Sequence, residues 1–316
     1  MKQTILIGST VIDVILMMSR LPQKGEDMNI KPPVHRLGGC AYNVFETLRF
    51  FNSPAILCSP VGTGFYGRMV QERMDERGII PIVKLEEENG CCYCLIEEDG
   101  ERSFLSCHGA EYLFFRTWLK GTDFSTVDSF YVSGIDLEVP TGEEIIRFIF
   151  EHPEQSVFFS PGPRIMHIEA SRLQKMLRHR DRENRGPLLH LNERESMWLS
   201  GKDNIKKAAA ALAGSTNNAV IITTGEKGCY YTDRNTGNAG VFVPGYPAKI
   251  VDTTCAGDVH LGALMACLKK GNSLGEACVT ANRAGAAACG MHGAVLADLP
   301  DADKLRAELR LANHGV

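Results

Sequence analysis

Six short apolar runs punctuate this chain, at residues 4–8, 55–60, 129–133, 157–160, 188–191 and 219–223. Each is nearly continuous and does not alternate with polar residues. Such a run needs cover on both faces, which is the condition of a strand inside a parallel sheet. Between the runs the period changes. Val44, Phe45, Leu48 and Phe51 form one apolar helical stripe, and Leu261, Leu264, Met265 and Leu268 form another. Repeated alternation of this kind predicts an α/β fold: a three-layer sandwich with a mostly parallel central sheet and helices on both faces.

Two segments break the rhythm. Residues 25–37 are polar and proline-bearing. Residues 91–108 read as a hairpin, with strands at 91–96 and 102–107 around a turn at Glu98-Asp99-Gly100. Strands inserted between βα units form a separate layer. The expectation is one domain over 1–316 with a small β-sheet lid built from segments at about 15–37 and 91–108. The basic stretch 172–185 reads as a solvated helix end and loop.

Composition removes several function classes. Lys plus Arg number 34 and Asp plus Glu 38, a formal net charge of −4. That balance leaves no broad basic footprint for a nucleic acid. No run approaches the ~18 apolar residues of a membrane span. The apolar stretch 4–18 is interrupted by Asp13 and lacks a small-residue cleavage site, so it reads as a first strand and not a signal peptide. The cysteines number 11, an odd count, and Cys58, Cys229, Cys267 and Cys278 sit inside apolar runs. They read as reduced core thiols of a cytoplasmic protein. Cys91, Cys92 and Cys94 lack the spacing of a zinc knuckle, and Cys92, Cys94 and Ile96 share one strand face. The expectation there is structural thiols, not a metal site.

The strongest chemical signal is Asp252-Thr253-Thr254-Cys255-Ala256-Gly257-Asp258-Val259-His260-Leu261-Gly262. It follows a strand-like end at 249–251 and opens a helix running to about Lys270. Small residues at a helix start leave backbone N–H groups uncovered, and the helix dipole makes them an anion site. Asp258 falls in the first turn, where it could take a proton from an attacking hydroxyl or cap the helix. A second signal is Gly38-Gly39-Cys40-Ala41-Tyr42-Asn43, in which two glycines permit close backbone approach to a ligand. Asp13, just after the first strand, falls at the same end of a parallel sheet, where α/β folds bind ligands. A competing signal is Gly62-Thr63-Gly64-Phe65-Tyr66-Gly67, which fits G-x-G-x-x-G, with Glu86 near the distance of a ribose-binding acid. It supports an NAD-dependent oxidoreductase. No Walker A sequence is present.

Taken in order, these motifs resemble those of the ribokinase-like (PfkB-type) carbohydrate kinases over nearly the whole chain. Residues 252–262 resemble the family's D-T-x-x-A-G-D-x-F-x-G signature, and Gly38-Gly39 with Asn43 its G-G-x-x-x-N signature. Gly8-Ser9 followed by Asp13 resembles the first strand and its substrate-binding acid. Asp99-Gly100-Glu101-Arg102 and Gly109-Ala110-Glu111 resemble the lid hairpin and its exit. Asn192-Glu193-Arg194-Glu195 resembles N-x-x-E, and residues 223–228 resemble T-x-G-x-x-G. The resemblance also accounts for the competing glycines, as the V-G-x-D-x-x-G turn with Gly64 in place of Asp.

The resemblance implies transfer of the ATP γ-phosphoryl group to a hydroxymethyl group of a sugar or nucleoside. It implies Asp258 as general base and the N–H groups of Cys255, Ala256 and Gly257 as anion hole. Asp13, Gly38, Gly39 and Asn43 would hold the acceptor. Asn192, Thr223, Gly225, Gly228 and Asn282 would hold ATP, with Asn282 at the adenine. Glu195 would position Mg²⁺ through water, and backbone carbonyls of Asp252 and Thr254 would hold a monovalent cation, K⁺. A lid sheet with one apolar face is also a natural dimer surface, so a homodimer through the lid is expected. Departures fall around the acceptor: Val11 replaces a common Asn, Cys40 a frequent Lys, Ser160 a frequent Asp, and His260 the signature Phe. They imply an altered pocket, and some likeness to pseudouridine kinases keeps a nucleoside acceptor open. The acceptor motifs carry no cation, which points to an unphosphorylated acceptor; Arg36 and Lys31 are the nearest candidates for a charged one. Tyr42 and Phe104 could face a nucleobase. A non-catalytic sugar-binding module of the same fold is the remaining alternative.

Overall fold

The structure, a computed structural model, describes residues 1–98, 102–233 and 240–311. Eight strands form the main sheet: β1 (Gln3–Ile7), β4 (Ala55–Cys58), β9 (Val127–Ser133), β10 (Ser156–Ser160), β11 (Leu188–Asn192), β12 (Val220–Thr223), β13 (Gly228–Thr232) and β14 (Val241–Pro244). Their order is β14-β13-β12-β11-β10-β9-β1-β4. The six expected runs supply the parallel part. β13 and β14, which no expectation covered, add an antiparallel edge.

Helices cover both faces. α1 (Cys40–Phe50), α2 (Gly64–Glu76), α8 (Ala256–Lys269), α9 (Leu274–Ala288) and α10 (Ala302–Leu311) lie on one side. The other carries α3 (Gly134–Glu138), α4 (Gly142–Phe150), α5 (Ala170–Arg178), α6 (Glu193–Ser200) and α7 (Ile205–Thr216). Strand period sorts the side chains between two cores. In β1, Leu6 joins the first core while Ile5 and Ile7 join the second. All three are buried, and each such side chain contributes about 1.5–3 kcal/mol over an exposed one.

The lid is a separate sheet of β2 (Val11–Met18), β3 (Val34–Gly38), β7 (Cys91–Glu97) and β8 (Arg102–Cys107), in the order β3-β2-β7-β8. The expected hairpin is present; of its expected turn, Asp99 and Gly100 lie outside the described residues, as does Glu101. The stretch 4–18 proves to be two strands in two sheets. The lid therefore begins at Val11, before the expected boundary, and Asp13 sits within a lid strand. Apolar runs on either side of the break hide this switch; Gly8-Ser9-Thr10 marks it. A Cβ at Gly8 would meet Asp136 Oδ2 at 2.5 Å, so only glycine fits where the chain leaves the main sheet.

Two further expectations are corrected. Residues 249–251 form no strand: the N–H groups of Val251 and Asp252 donate to the Cys289 carbonyl at the end of α9. The basic stretch 172–185 is not wholly solvated. Arg172 donates to the carbonyls of Leu137, Glu138 and Val139, and Arg180 to those of Leu177, His179 and Ser215. A third, two-stranded sheet pairs β5 (Val61–Thr63) with β6 (Lys84–Glu88). It takes up the G-x-G-x-x-G segment. A Cβ at Gly62 would lie 2.1 Å from the Glu87 carbonyl, and one at Gly67 2.3 Å from the Gly62 carbonyl. These glycines serve backbone packing rather than a dinucleotide.

Candidate active site

The carboxyl ends of the parallel strands, the lid and the amino ends of α1, α6 and α8 enclose one cleft of about 440 Å³. Lid strand β2 supplies Asp13, the β3–α1 turn Gly39, and α1 Asn43. The β11–α6 junction supplies Asn192 and Glu195, β12 Thr223, and the start of α8 Thr254, Cys255, Gly257 and Asp258. Candidates up to 245 positions apart thus meet in one space. Gly38 lies beneath it: a Cβ there would overlap Asp13 Oδ2 at 2.0 Å, so the glycine makes room for the carboxylate.

The centre is Asp258. It does not cap α8, whose N-cap residue Cys255 makes no side-chain bond to the helix. Instead Asn43 Nδ2 donates to Asp258 Oδ2 at 2.8 Å, across from α1. Burial pushes the Asp258 carboxyl up to about 7, against the opposing pull of that hydrogen bond. Asp13 is also raised well above the carboxylate range, first by burial and then by Cys92, Asp258 and Asp252 nearby.

At the start of α8, the Ala256 N–H donates to the Thr253 carbonyl at 3.2 Å. It therefore points away from the role expected of it. Among the described residues, the Cys255 and Gly257 N–H groups have no backbone acceptor, and a Cβ on Gly257 would meet nothing within 4 Å. The Asp258 N–H has no such acceptor among them either, so free donors and open space remain at the positive end of a 14-residue helix. Asp252 stands outside the cleft lining. Its carboxylate accepts from the Thr254 N–H at 2.9 Å and hydroxyl at 2.6 Å, which fixes the loop ahead of α8. From the lid, Arg102 Nη1 donates to Thr253 Oγ1 at 2.6 Å and lies 3.5 Å from Asp252 Oδ1. One lid side chain thereby ties β8 to the loop that sets the anion site.

Asn192 and Glu195 form a reciprocal cap on α6. The Glu195 N–H donates to Asn192 Oδ1 at 2.8 Å, and the Asn192 N–H to Glu195 Oε2 at 3.0 Å. Burial raises the Glu195 carboxyl. A Cβ at Gly225 would meet nothing within 4 Å, whereas one at Gly228 would lie 2.2 Å from the Val243 carbonyl.

Several candidates are placed otherwise than expected. Asn282 is buried away from the cleft. Its Nδ2 donates to the carbonyls of Val243 and Pro244 at 3.1 and 2.9 Å, so its Oδ1 accepts from His260 Nε2 at 3.1 Å. That leaves His260 Nδ1 to accept from His190 Nε2 at 2.9 Å. In this structure the Asn282 amide is engaged by β14 and His260 and does not line the cleft. Tyr42 is wholly buried in the core and offers no face to a base, while Phe104 does line the cleft. Arg36 pairs in register with Asp13 but lines a different surface depression.

Sequence reasoning passed over Asp136, Arg164 and His190. Asp136 accepts from Ser133 Oγ at 2.6 Å, and burial pushes it up to about 7. The signal was there in Gly8, the glycine that makes room for it. Arg164, from the stretch after β10, is the one Lys or Arg among the described residues that lines the cleft, and its guanidinium is held by Glu138. His190 lines the cleft from β11, and burial keeps its ring neutral.

Among known proteins, the family model described as pfkB family carbohydrate kinase matches residues 1–302. The chain is similar to an uncharacterized sugar kinase, YegV, of Escherichia coli strain K12. The two are 30% identical over 100% of this chain and 95% of the relative. A ribokinase of Cryptococcus neoformans var. grubii, solved with ADP, superposes with TM-score 0.78 at 21% identity, covering 98% of this chain and all of that one. A nucleoside kinase of Burkholderia thailandensis, solved with inosine, does so with TM-score 0.77 at 18% identity, covering 98% and 96%. Among the described residues, no helix is long and apolar enough to cross a membrane.

Proposed function

The chain belongs to the pfkB family of carbohydrate kinases, and we propose that it moves the ATP γ-phosphoryl group onto a hydroxymethyl group of a neutral sugar or nucleoside, with Asp258 as general base. The observation that carries this reading is the orientation of Asp258. A first-turn carboxylate ordinarily serves its own helix. This one is turned by Asn43 toward a cleft that also holds Asp13 and unclaimed N–H groups.

The chemistry follows from placement. Phosphoryl transfer asks the protein to align two oxygens and to stabilise charge on the equatorial ones. Asp13, with Gly39 and Asn43 beside it, holds the acceptor's hydroxyls. Asp258 accepts the proton of the attacking hydroxyl; a base titrating near 7 is suited to neutral pH. The N–H groups of Cys255 and Gly257 receive charge developing on the phosphoryl oxygens. Asn192, Thr223 and the open ground at Gly225 seat the nucleotide. Mg²⁺, when bound, neutralises phosphate charge, and Glu195 fits a role through water because its oxygens are occupied by Asn192. The carbonyls of Asp252 and Thr254 are the proposed seat of K⁺, in a loop that Asp252 itself braces. Lid closure through Arg102 keeps water from the γ-phosphate.

Support for a neutral acceptor comes from charge. Among the described residues the one cleft-lining cation, Arg164, is already paired with Glu138. A phosphorylated acceptor would bring about −1.5 to −2 charges with no free guanidinium to meet them. A nucleoside remains the second reading, favoured by Phe104 in the lid face of the cleft. The deciding experiment measures ATP consumption by purified protein with fructose, ribose, adenosine, pseudouridine and the fructose 1- and 6-phosphates, with NAD added to parallel samples. We expect turnover with a neutral acceptor and no hydride transfer. A sugar phosphate with tenfold higher kcat/KM would overturn the neutral-acceptor reading.

The lid is also the proposed dimer surface. Its register sets Val34, Ile15, Cys94 and Phe104 in one row, and Val34 and Phe104 are 41% and 48% exposed.

A further inference from the structure

The acceptor end of the cleft carries a group of side chains that the proposed reaction does not use as a group. Asp13 and Cys92 are direct neighbours across the parallel β2–β7 pair, and Cys94 follows on the same face two residues later. Their ligand atoms all lie within 4.8 Å of one another, the one such group among the described residues. The two sulfurs are 4.0 Å apart.

We infer that Asp13, Cys92 and Cys94 form a binding site for a thiophilic divalent ion of the zinc class, and that the bound ion excludes the acceptor. Bonds of about 2.3 Å to each sulfur at a tetrahedral angle would place the sulfurs ~3.8 Å apart, so the observed spacing needs almost no adjustment. Two thiolates and a carboxylate match the ligand preference of such an ion. They do not match Mg²⁺, which prefers oxygen donors and keeps its waters. The phosphate end of the cleft and its acceptor end therefore select different metals. Ser106 Oγ lies 3.9 Å from Cys92 Sγ and can support the thiolate from outside the ligand set. Binding releases the thiol protons to the buffer. Three protein ligands leave one position open toward the cleft, the arrangement of an exchangeable site and not of a closed structural one.

The exclusion half of the proposal rests on the reading that Asp13 holds the acceptor; the ion site itself does not. Sequence spacing predicted structural thiols here, because it could not show an aspartate from another strand arriving beside them.

The test begins with reduced, metal-free protein titrated with Co²⁺. We expect a thiolate-to-cobalt charge-transfer band that saturates at one equivalent and is bleached by Zn²⁺. Cys94→Ala, Cys94→Ser and Asp13→Asn should each weaken binding at least tenfold, while Cys229→Ala leaves it unchanged. ATP binding by calorimetry verifies that each variant is folded. No charge-transfer band in the parent protein, or one unchanged in both folded Cys94 variants, overturns the site. The second arm follows initial rates at fixed Mg·ATP with buffered Zn²⁺. We expect the apparent KM for the acceptor to rise with kcat constant, and the zinc concentration needed to rise at least tenfold in Cys94→Ala. Cobalt binding as expected with rates indifferent to zinc overturns the exclusion and the role of Asp13, while the ion site stands.

Discussion

Two helices present their amino ends to the same cleft, and they are finished in opposite ways. α6 is closed by its own residues: Asn192 and Glu195 exchange side-chain and backbone bonds, and both Glu195 oxygens are occupied. α8 has no side-chain cap, and Asp258 in its first turn bonds to Asn43 on another helix. Both carry a carboxylate where the helix dipole favours one. In α6 that carboxylate stabilises the fold. In α8 it is diverted, which leaves N–H groups and a proton acceptor facing the cleft. Other helices of this chain also begin without a side-chain cap; what sets α8 apart is that its first-turn carboxylate bonds to another helix at the cleft, and on the proposed reading that start receives the phosphoryl group.

The sharpest way to break this contrast is Asp258→Asn. The amide keeps the shape and removes the base, so kcat should fall about 10²–10⁴-fold. Acceptor affinity, measured by calorimetry, should be nearly unchanged. A variant that keeps more than half its kcat would return Asp258 to the status of an ordinary first-turn residue.

Next comes pH. As the proposed base, Asp258 must be ionised to accept a proton, and burial pushes its carboxyl up to about 7. Rates should therefore fall about tenfold per unit as pH drops below that point. Asn43 donates to the ionised form and opposes the effect of burial. Asn43→Ala should move the acidic limb of the kcat profile to higher pH. A profile level from pH 5 to 8 in the parent protein would be incompatible with Asp258 as base.

At α6 the contrast predicts a stability effect. Asn192→Ala removes the cap and strands a buried Glu195, at a cost of about 1–2 kcal/mol. Urea unfolding measures it. The same substitution at a residue whose main service is to ligand would lower activity without shifting the midpoint.

What the sequence disclosed, and what it withheld, divides along similar physical lines. Continuous apolar runs have one economical solution, so the parallel strands were legible, and hydrophobic period showed α1 and α8 on one face; the helices of the other face followed only from the β–α alternation. The edge strands β13 and β14 were not. They are short, and the first begins at a glycine that reads as loop. Motifs such as Gly38-Gly39 with Asn43 and the start of α8 were legible because local backbone geometry demands particular residues. Partnerships across the fold left no local trace. Nothing near Asn43 names Asp258, and nothing near His260 names His190, although the pair lies 2.9 Å apart. Nothing near Asn282 announces that its amide meets the carbonyls of β14.

The smallest expected effect tests whether the open helix start costs the fold anything. In the unfolded chain an Asp titrates near 3.9; in the fold Asp258 is pushed up to about 7 by burial. A carboxyl raised on folding adds stability in full below its unfolded pKa. It loses that contribution as pH rises through its folded value. At pH 8 the parent protein therefore holds a buried charge with one hydrogen bond from Asn43, while Asp258→Asn holds none. The variant should melt a few degrees above the parent at pH 8, with the gap closing as pH is lowered toward 4. Asp136 is raised by burial in both proteins and cancels in the difference, whereas Asp13 is raised in part by Asp258, so its relief in the variant widens the gap at high pH. Calorimetric melting at matched ionic strength across that range is the measurement. A gap that ignores pH would mean that Asp258 is neutral or solvated throughout, and the difference between the two helix starts would then be one of geometry alone.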